Sequence, residues 1–113
     1  MHRSKSMFIQ DIVESIDAIF EYVVDVELDD FKNDRKTYQA VIREFEIIGE
    51  AVKHIKKEAE NCCPEIKWRN IVDFRNKINH EYFGVNFKII WDTIFYELPK
   101  LKKAIEKLKK EIN

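Results

Sequence analysis

From Tyr38 to Ala59 the apolar residues Tyr38, Val41, Ile42, Phe45, Ile48, Val52, Ile55 and Ala59 recur at intervals of three or four. That spacing lays one stripe along a helix, and it predicts a long helix over about residues 35–60. Few folds can absorb a rod of that length. The chain also has only two glycines and two prolines, which leaves few places for sharp turns and argues for a few long helices over many hairpins. A first segment, about Ser6 to Leu28, carries Ile9, Ile12, Val13, Ile16, Ile19, Phe20 and Val23 on one side. Asp11, Glu14, Asp17 and Glu21 take the other side, and Ser6 is the expected N-cap. The polar run from Asp29 to Asp34 reads as a connection, with Asn33 or Asp34 capping the long helix.

Downstream, Pro64 stops the long helix near Asn61. A third helix is expected from Lys67 or Trp68 to about Tyr82, closed by Phe83-Gly84. A last one should begin after a cap at Asn86 and run to the C-terminus on Phe87, Ile90, Trp91, Ile94, Leu98, Leu101, Ile105, Leu108 and Ile112. Pro99 lies inside it and should kink or split it. Gly49 within the long helix costs roughly 1 kcal/mol against alanine. Either another helix or a ligand comes close there, or the position merely tolerates glycine. The expectation is an all-α, up-and-down bundle of four to five helices in a single domain over residues 1–113, with no strand.

With 45% apolar and 36% charged residues the chain should fold around one core. No apolar run approaches the ~18 residues of a membrane span and no signal-peptide pattern opens the chain, so a soluble, cytoplasmic protein without a membrane partner is expected. Cys62 and Cys63 are adjacent, without partners elsewhere, and read as reduced thiols at a helix end. Net charge is −1, but the signs segregate: residues 1–50 hold 12 acids and 6 bases, residues 51–113 hold 9 acids and 14 bases. Such asymmetry fits a basic face for RNA, acidic and basic faces that meet across a dimer, or solvated helix faces that happen to differ.

Chemistry concentrates in Arg75-Asn76-Lys77-Ile78-Asn79-His80-Glu81-Tyr82. On an ideal helix Arg75, Asn79 and Tyr82 share one edge, Asn76 and His80 lie alongside, and Arg75 and His80 are about 140° apart. Arginine is a permanent planar cation suited to phosphate, and histidine exchanges protons near neutral pH. The set suits metal-free cleavage of RNA by its own 2′-hydroxyl. His80 would act as base or acid, Arg75 would stabilise the phosphate, and Asn76 and Asn79 would orient either. One chain supplies one good proton-transfer residue, so a symmetric dimer sharing a site is expected. The competing reading is an ion-pairing strip with His80 at a helix C-terminus. His54 and His2 carry no such pattern, and neither a metal site nor a cofactor is implied.

Arg75-x4-His80-x-Tyr82 resembles the signature of HEPN-domain ribonucleases, specifically HepT-like toxins. The likeness extends to Ala40-Val41-Ile42-Arg43, to Ile47-Ile48-Gly49-Glu50-Ala51, to Trp68-Arg69-Asn70-Ile71 and to Trp91 through Leu98-Pro99-Lys100-Leu101, covering roughly residues 8–108. Lys67 departs from the proline many relatives carry, which concerns how the helix begins rather than the chemistry. The resemblance implies a metal-independent endoribonuclease toxin that works as a homodimer, with Arg75 and His80 catalytic and Asn76 and Asn79 in support. It also implies a cognate minimal nucleotidyltransferase antitoxin that adds AMP to the motif tyrosine, here Tyr82. Adenylate there would neutralise Arg75. The alternative is a non-catalytic helical module that binds nucleotide or substrate for a nucleotidyltransferase.

Overall fold

A computed structural model describes residues 3–80 and 84–112, with only the backbone of Asn79 and His80. Its frame is three long helices. α1 (Lys5–Tyr22) lies along α3 (Arg35–Cys62), and α7 (Leu98–Ile112) closes against both. Each contributes the stripe that its sequence spells out. Ile12, Ile16 and Ile19 of α1, Val41, Val52 and Ile55 of α3, and Ile105 of α7 are all fully buried. Burying one such side chain is worth about 1.5–3 kcal/mol, so these stripes carry most of the stability.

The caps explain where the helices begin. Asp34 caps α3 as expected: its Oδ1 accepts the Thr37 N–H at 3.2 Å and its Oδ2 accepts the Thr37 hydroxyl at 2.6 Å. Asn86 caps α6 (Phe87–Asp92) through Oδ1, which accepts the Ile89 N–H at 3.1 Å. α1 starts two residues earlier than expected, on Ser4 rather than Ser6. The segregated charges meet partly within the monomer, since Lys102 of α7 donates to Asp17 of α1 at 2.8 Å.

The short elements correct the sequence reading. The supposed connection over 29–34 holds a helix, α2 (Leu28–Asn33), with Asp29 and Asp30 in its first turn, where the helix dipole favours acids. Phe31 fastens it: the ring is fully buried, its centroid 5.1 Å from that of Trp91 and 6.2 Å from that of Phe87. The third helix is broken at Asp73 into α4 (Trp68–Val72) and α5 (Phe74–Ile78), and it ends four residues short of Tyr82. Aspartate and asparagine compete for backbone groups and are poor helix formers, which fits both the break and the stop. Beyond it a two-residue antiparallel ladder joins β1 (Asn79–His80) to β2 (Gly84–Val85), pairing Asn79 with Val85 and His80 with Gly84. Strand was not expected anywhere. Gly84 has φ +77°, a left-handed conformation that glycine adopts without strain, and the Asn86 N–H donates to the Ile78 carbonyl at 2.8 Å.

The expected interruption at Pro99 takes the form of one π turn, Thr93–Glu97, in which the Leu98 N–H reaches back to the Thr93 carbonyl. Proline has no N–H for the Phe95 carbonyl and its ring crowds that group, so a wider turn just upstream lets the helix continue. No helix among the described residues is long and apolar enough to cross a membrane.

Candidate active site

Gly49 lies where the segment leading to the motif arginine packs on α3. A Cβ built on it would lie 3.4 Å from the carbonyl oxygens of both Ile71 and Val72. Helix α4 therefore runs its backbone against α3 at this point, and α5 follows immediately. Of the sequence-level alternatives, close approach of another helix is the one found. The result is a cleft of about 340 Å³ between the start of α1, the middle of α3 and α5, with Arg43, Glu46, Gly49, Lys53 and Arg75 among its lining.

Arg75 is exposed, and its Nε lies 3.8 Å from Glu46 Oε1 across the gap from α5 to α3. The other oxygen of Glu46 faces Arg43, whose Nη1 is 3.6 Å from Oε2. Both separations exceed hydrogen-bond length, so the attraction is Coulombic, screened by water and easily exchanged for another anion. On the far wall Arg3 pairs with Asp11 at 3.0 Å and its guanidinium lies 5.1 Å over the Phe8 ring. His54 stacks on Phe8 at 4.2 Å, which makes it a packing residue at the edge of the cleft.

The remaining motif residues do not gather on one helical edge. Asn76 follows Arg75 on α5 and is exposed, outside the cleft. Lys77 lines a second groove of about 560 Å³ toward the π turn and α7. Asn79 and His80 belong to β1, so the angle of about 140° expected for Arg75 and His80 on a continuous helix does not apply. Tyr82 lies outside the described residues. Arg43 and Glu46 went unremarked as site residues. The motif gives no signal for them: positions 43, 46, 50 and 53 carry base, acid, acid and base at helical spacing, which by itself reads as a solvated face beside the apolar stripe.

Cys62 and Cys63 are free thiols 3.0 Å apart at the end of α3. Burial, with Cys63 and Glu111 beside it, pushes the Cys62 thiol up to about 12. A thiol so rarely ionised is a poor nucleophile. Cys63 is buried, and its carbonyl accepts the Trp68 indole N–H at 2.9 Å, which anchors the start of α4.

A family profile described as "Ribonuclease HepT-like" matches residues 12–108. Over 110 residues the chain is 43% identical to "Probable ribonuclease HepT" of Thermococcus cleftensis, covering 97% of this chain and all of that one. It is 40% identical over 105 residues to "Putative RNase MJ0127" of Methanocaldococcus jannaschii, covering 93% of this chain and 87% of the relative. No solved structure matches the chain.

Proposed function

The chain belongs to the HepT-like ribonuclease family, and on that premise we propose that it is a metal-independent endoribonuclease toxin, with Arg75 and His80 as its catalytic pair. One observation supports this most: the motif arginine stands at an open cleft, where its ion pair among the described residues is a loose one that a phosphate can displace. A purely structural arginine would be expected in a tighter, better-covered pair.

In the proposed reaction the 2′-oxygen of one ribose attacks the adjoining phosphorus while the 5′-oxygen of the next nucleotide leaves. The products are a 2′,3′-cyclic phosphate and a 5′-hydroxyl. One imidazole takes the proton from the 2′-hydroxyl and another gives one to the departing oxygen. Arg75 stabilises the negative charge that builds on the phosphate between them. A homodimer supplies the second His80 and the second Arg75, with Asn76 and Asn79 in support. RNA is the substrate, and a minimal nucleotidyltransferase is the antitoxin partner, silencing the enzyme by adding AMP to Tyr82.

The test is incubation of the purified protein with RNA in the presence of chelator, beside Arg75→Ala and His80→Ala. Cleavage by wild type that both variants lose supports the reading, and wild type that leaves RNA intact overturns it. Sedimentation should give a dimer. Mass spectrometry after co-expression with the partner should find adenylate on Tyr82, and an unmodified Tyr82 removes that part of the proposal.

A further inference from the structure

The ion pairs around the cleft are not alike. Arg3 is matched by Asp11 and Lys53 by Glu50, one base to one acid. Among the described residues around the cleft, Glu46 alone faces two cations, Arg43 from its own helix and Arg75 from α5. That node therefore holds one positive charge more than its carboxylate neutralises. Both guanidinium-bearing side chains are about two-thirds exposed, 69% for Arg43 and 66% for Arg75, while Glu46 is 27% exposed between them. The carboxylate is the fixed point and the arginines are the parts facing outward.

We propose that Arg43 and Arg75, bridged by Glu46, form a two-arginine clamp for consecutive phosphates of one single-stranded RNA, with Arg43 holding the phosphate next to the one that is cut. The proposal rests on the ribonuclease reading, since it takes Arg75 as the group at the scissile phosphate. Arginine suits both places because its planar fork can give two parallel hydrogen bonds to phosphate oxygens. Geometry favours a strand over a duplex: a cleft of about 340 Å³ admits a nucleotide or so at a time. Arg43 and Glu46 are about one turn apart on α3, so Arg43 is presented on the same side of the helix as the carboxylate that faces Arg75. Glu46 has two opposed effects. It orients Arg75 through Nε, and it competes with phosphate for both guanidiniums.

Arg43 is thus a binding residue and Glu46 a positioning residue, and the two are separable by experiment. Binding is read by fluorescence anisotropy with a short single-stranded 2′-O-methyl RNA, which lacks the attacking hydroxyl and so reports affinity without cleavage. Arg43→Ala should weaken binding about tenfold and flatten the dependence of log Kd on log salt by about 0.7, the share of one phosphate contact on a single strand. Arg43→Lys should restore most of the salt slope, because the charge returns. Lys88→Ala, on α6 away from the cleft, should change neither. Glu46→Gln should tighten binding and lower KM on cleavable RNA while also lowering kcat, a split that a merely structural role would not produce. An Arg43→Ala protein with unchanged melting temperature, unchanged affinity and unchanged salt slope overturns the clamp, and so does Glu46→Gln that weakens binding. Wild type that binds the probe with the expected Arg43 dependence yet leaves RNA whole supports the clamp and overturns the nuclease.

Discussion

The bundle of α1, α3 and α7 and the stretch from Trp68 to Asn86 are built on opposite terms. In the bundle, isoleucines at helical spacing bury one face each, and many interchangeable contacts define the packing. The described residues of the stretch from 68 to 86 form two five-residue helices and a two-residue ladder, with particular contacts at Trp68 on the Cys63 carbonyl, Gly49 under α4, Phe74 on Phe45 and the Asn86 N–H on Ile78. Short elements cannot stabilise themselves, so their position is borrowed from α3. The described motif residues Arg75, Asn76, Asn79 and His80 are on the borrowed part, while Arg43 and Glu46 stand on the cleft side of α3. Substitutions in the buried stripes of the bundle should therefore cost stability, and substitutions of the motif residues in the stretch should cost function.

The largest expected effects test that division directly. Arg75→Ala should lower kcat/KM on RNA by about 10²- to 10³-fold, the range for losing one charge-stabilising group, with no change in melting temperature. His80→Ala should lower it by a similar or larger factor. Ile16→Ala, buried in the bundle, should instead cost about 2–5 kcal/mol of unfolding free energy in urea titration while leaving kcat of the folded fraction intact. A stability loss from Arg75→Ala as large as that from Ile16→Ala would erase the distinction.

A middle-sized effect is expected at the seam. Alanine at Gly49 places its Cβ in ordinary contact with the Ile71 and Val72 carbonyls and regains helix propensity, so Gly49→Ala should change stability by no more than about 1 kcal/mol. Gly49→Val adds bulk where backbone already stands, and it should push α4 and α5 away from α3. Its catalytic loss should exceed tenfold although no reacting group is touched, since small misplacements of catalytic groups are costly. Equal activity in Gly49→Val and wild type would show that α5 does not take its position from this contact.

The same contrast explains what could be read from the chain. The three long stripes, the Asp34 and Asn86 caps and the trouble at Pro99 are local signals, repeated or strongly punctuated, and they were legible. Helix α2 was not, because six residues are too few to show a period; its cue is Phe31, an aromatic in an otherwise polar run, and its purpose appears only once Trp91 and Phe87 are beside it. The break at Asp73 and the strand at Asn79–His80 were invisible for a related reason. Periodicity through Ile71, Phe74 and Ile78 survives the break, so the pattern reads as one helix. Arg75 was legible as a candidate from its residue type. Its neighbours Arg43 and Glu46 were not, since the register between α5 and α3 comes from packing, of α4 on Gly49 and of Phe74 on Phe45, and is written nowhere in the motif.

The smallest effect belongs to the bundle and runs through pH. The hydroxyl of Thr37 and its N–H both donate to Asp34, and they hold that carboxyl below its ordinary value. A carboxylate with a lowered folded pKa adds stability above its unfolded value, near 3.9, and loses it as pH falls through the folded one. Asp34→Asn keeps a competent cap but removes the titration. The difference in melting temperature between wild type and Asp34→Asn should thus be constant from pH 7 down to about 5 and should shrink below about pH 4. Catalytic activity at neutral pH should be the same in both, because the cap lies at the start of α3 and Glu46 lies three turns further on. A pH-independent gap would mean that the Asp34 charge contributes nothing to the helix it begins. Altered activity at neutral pH would mean that disturbance at one end of α3 reaches the cleft, and the two regions would then be coupled more tightly than their separate contacts require.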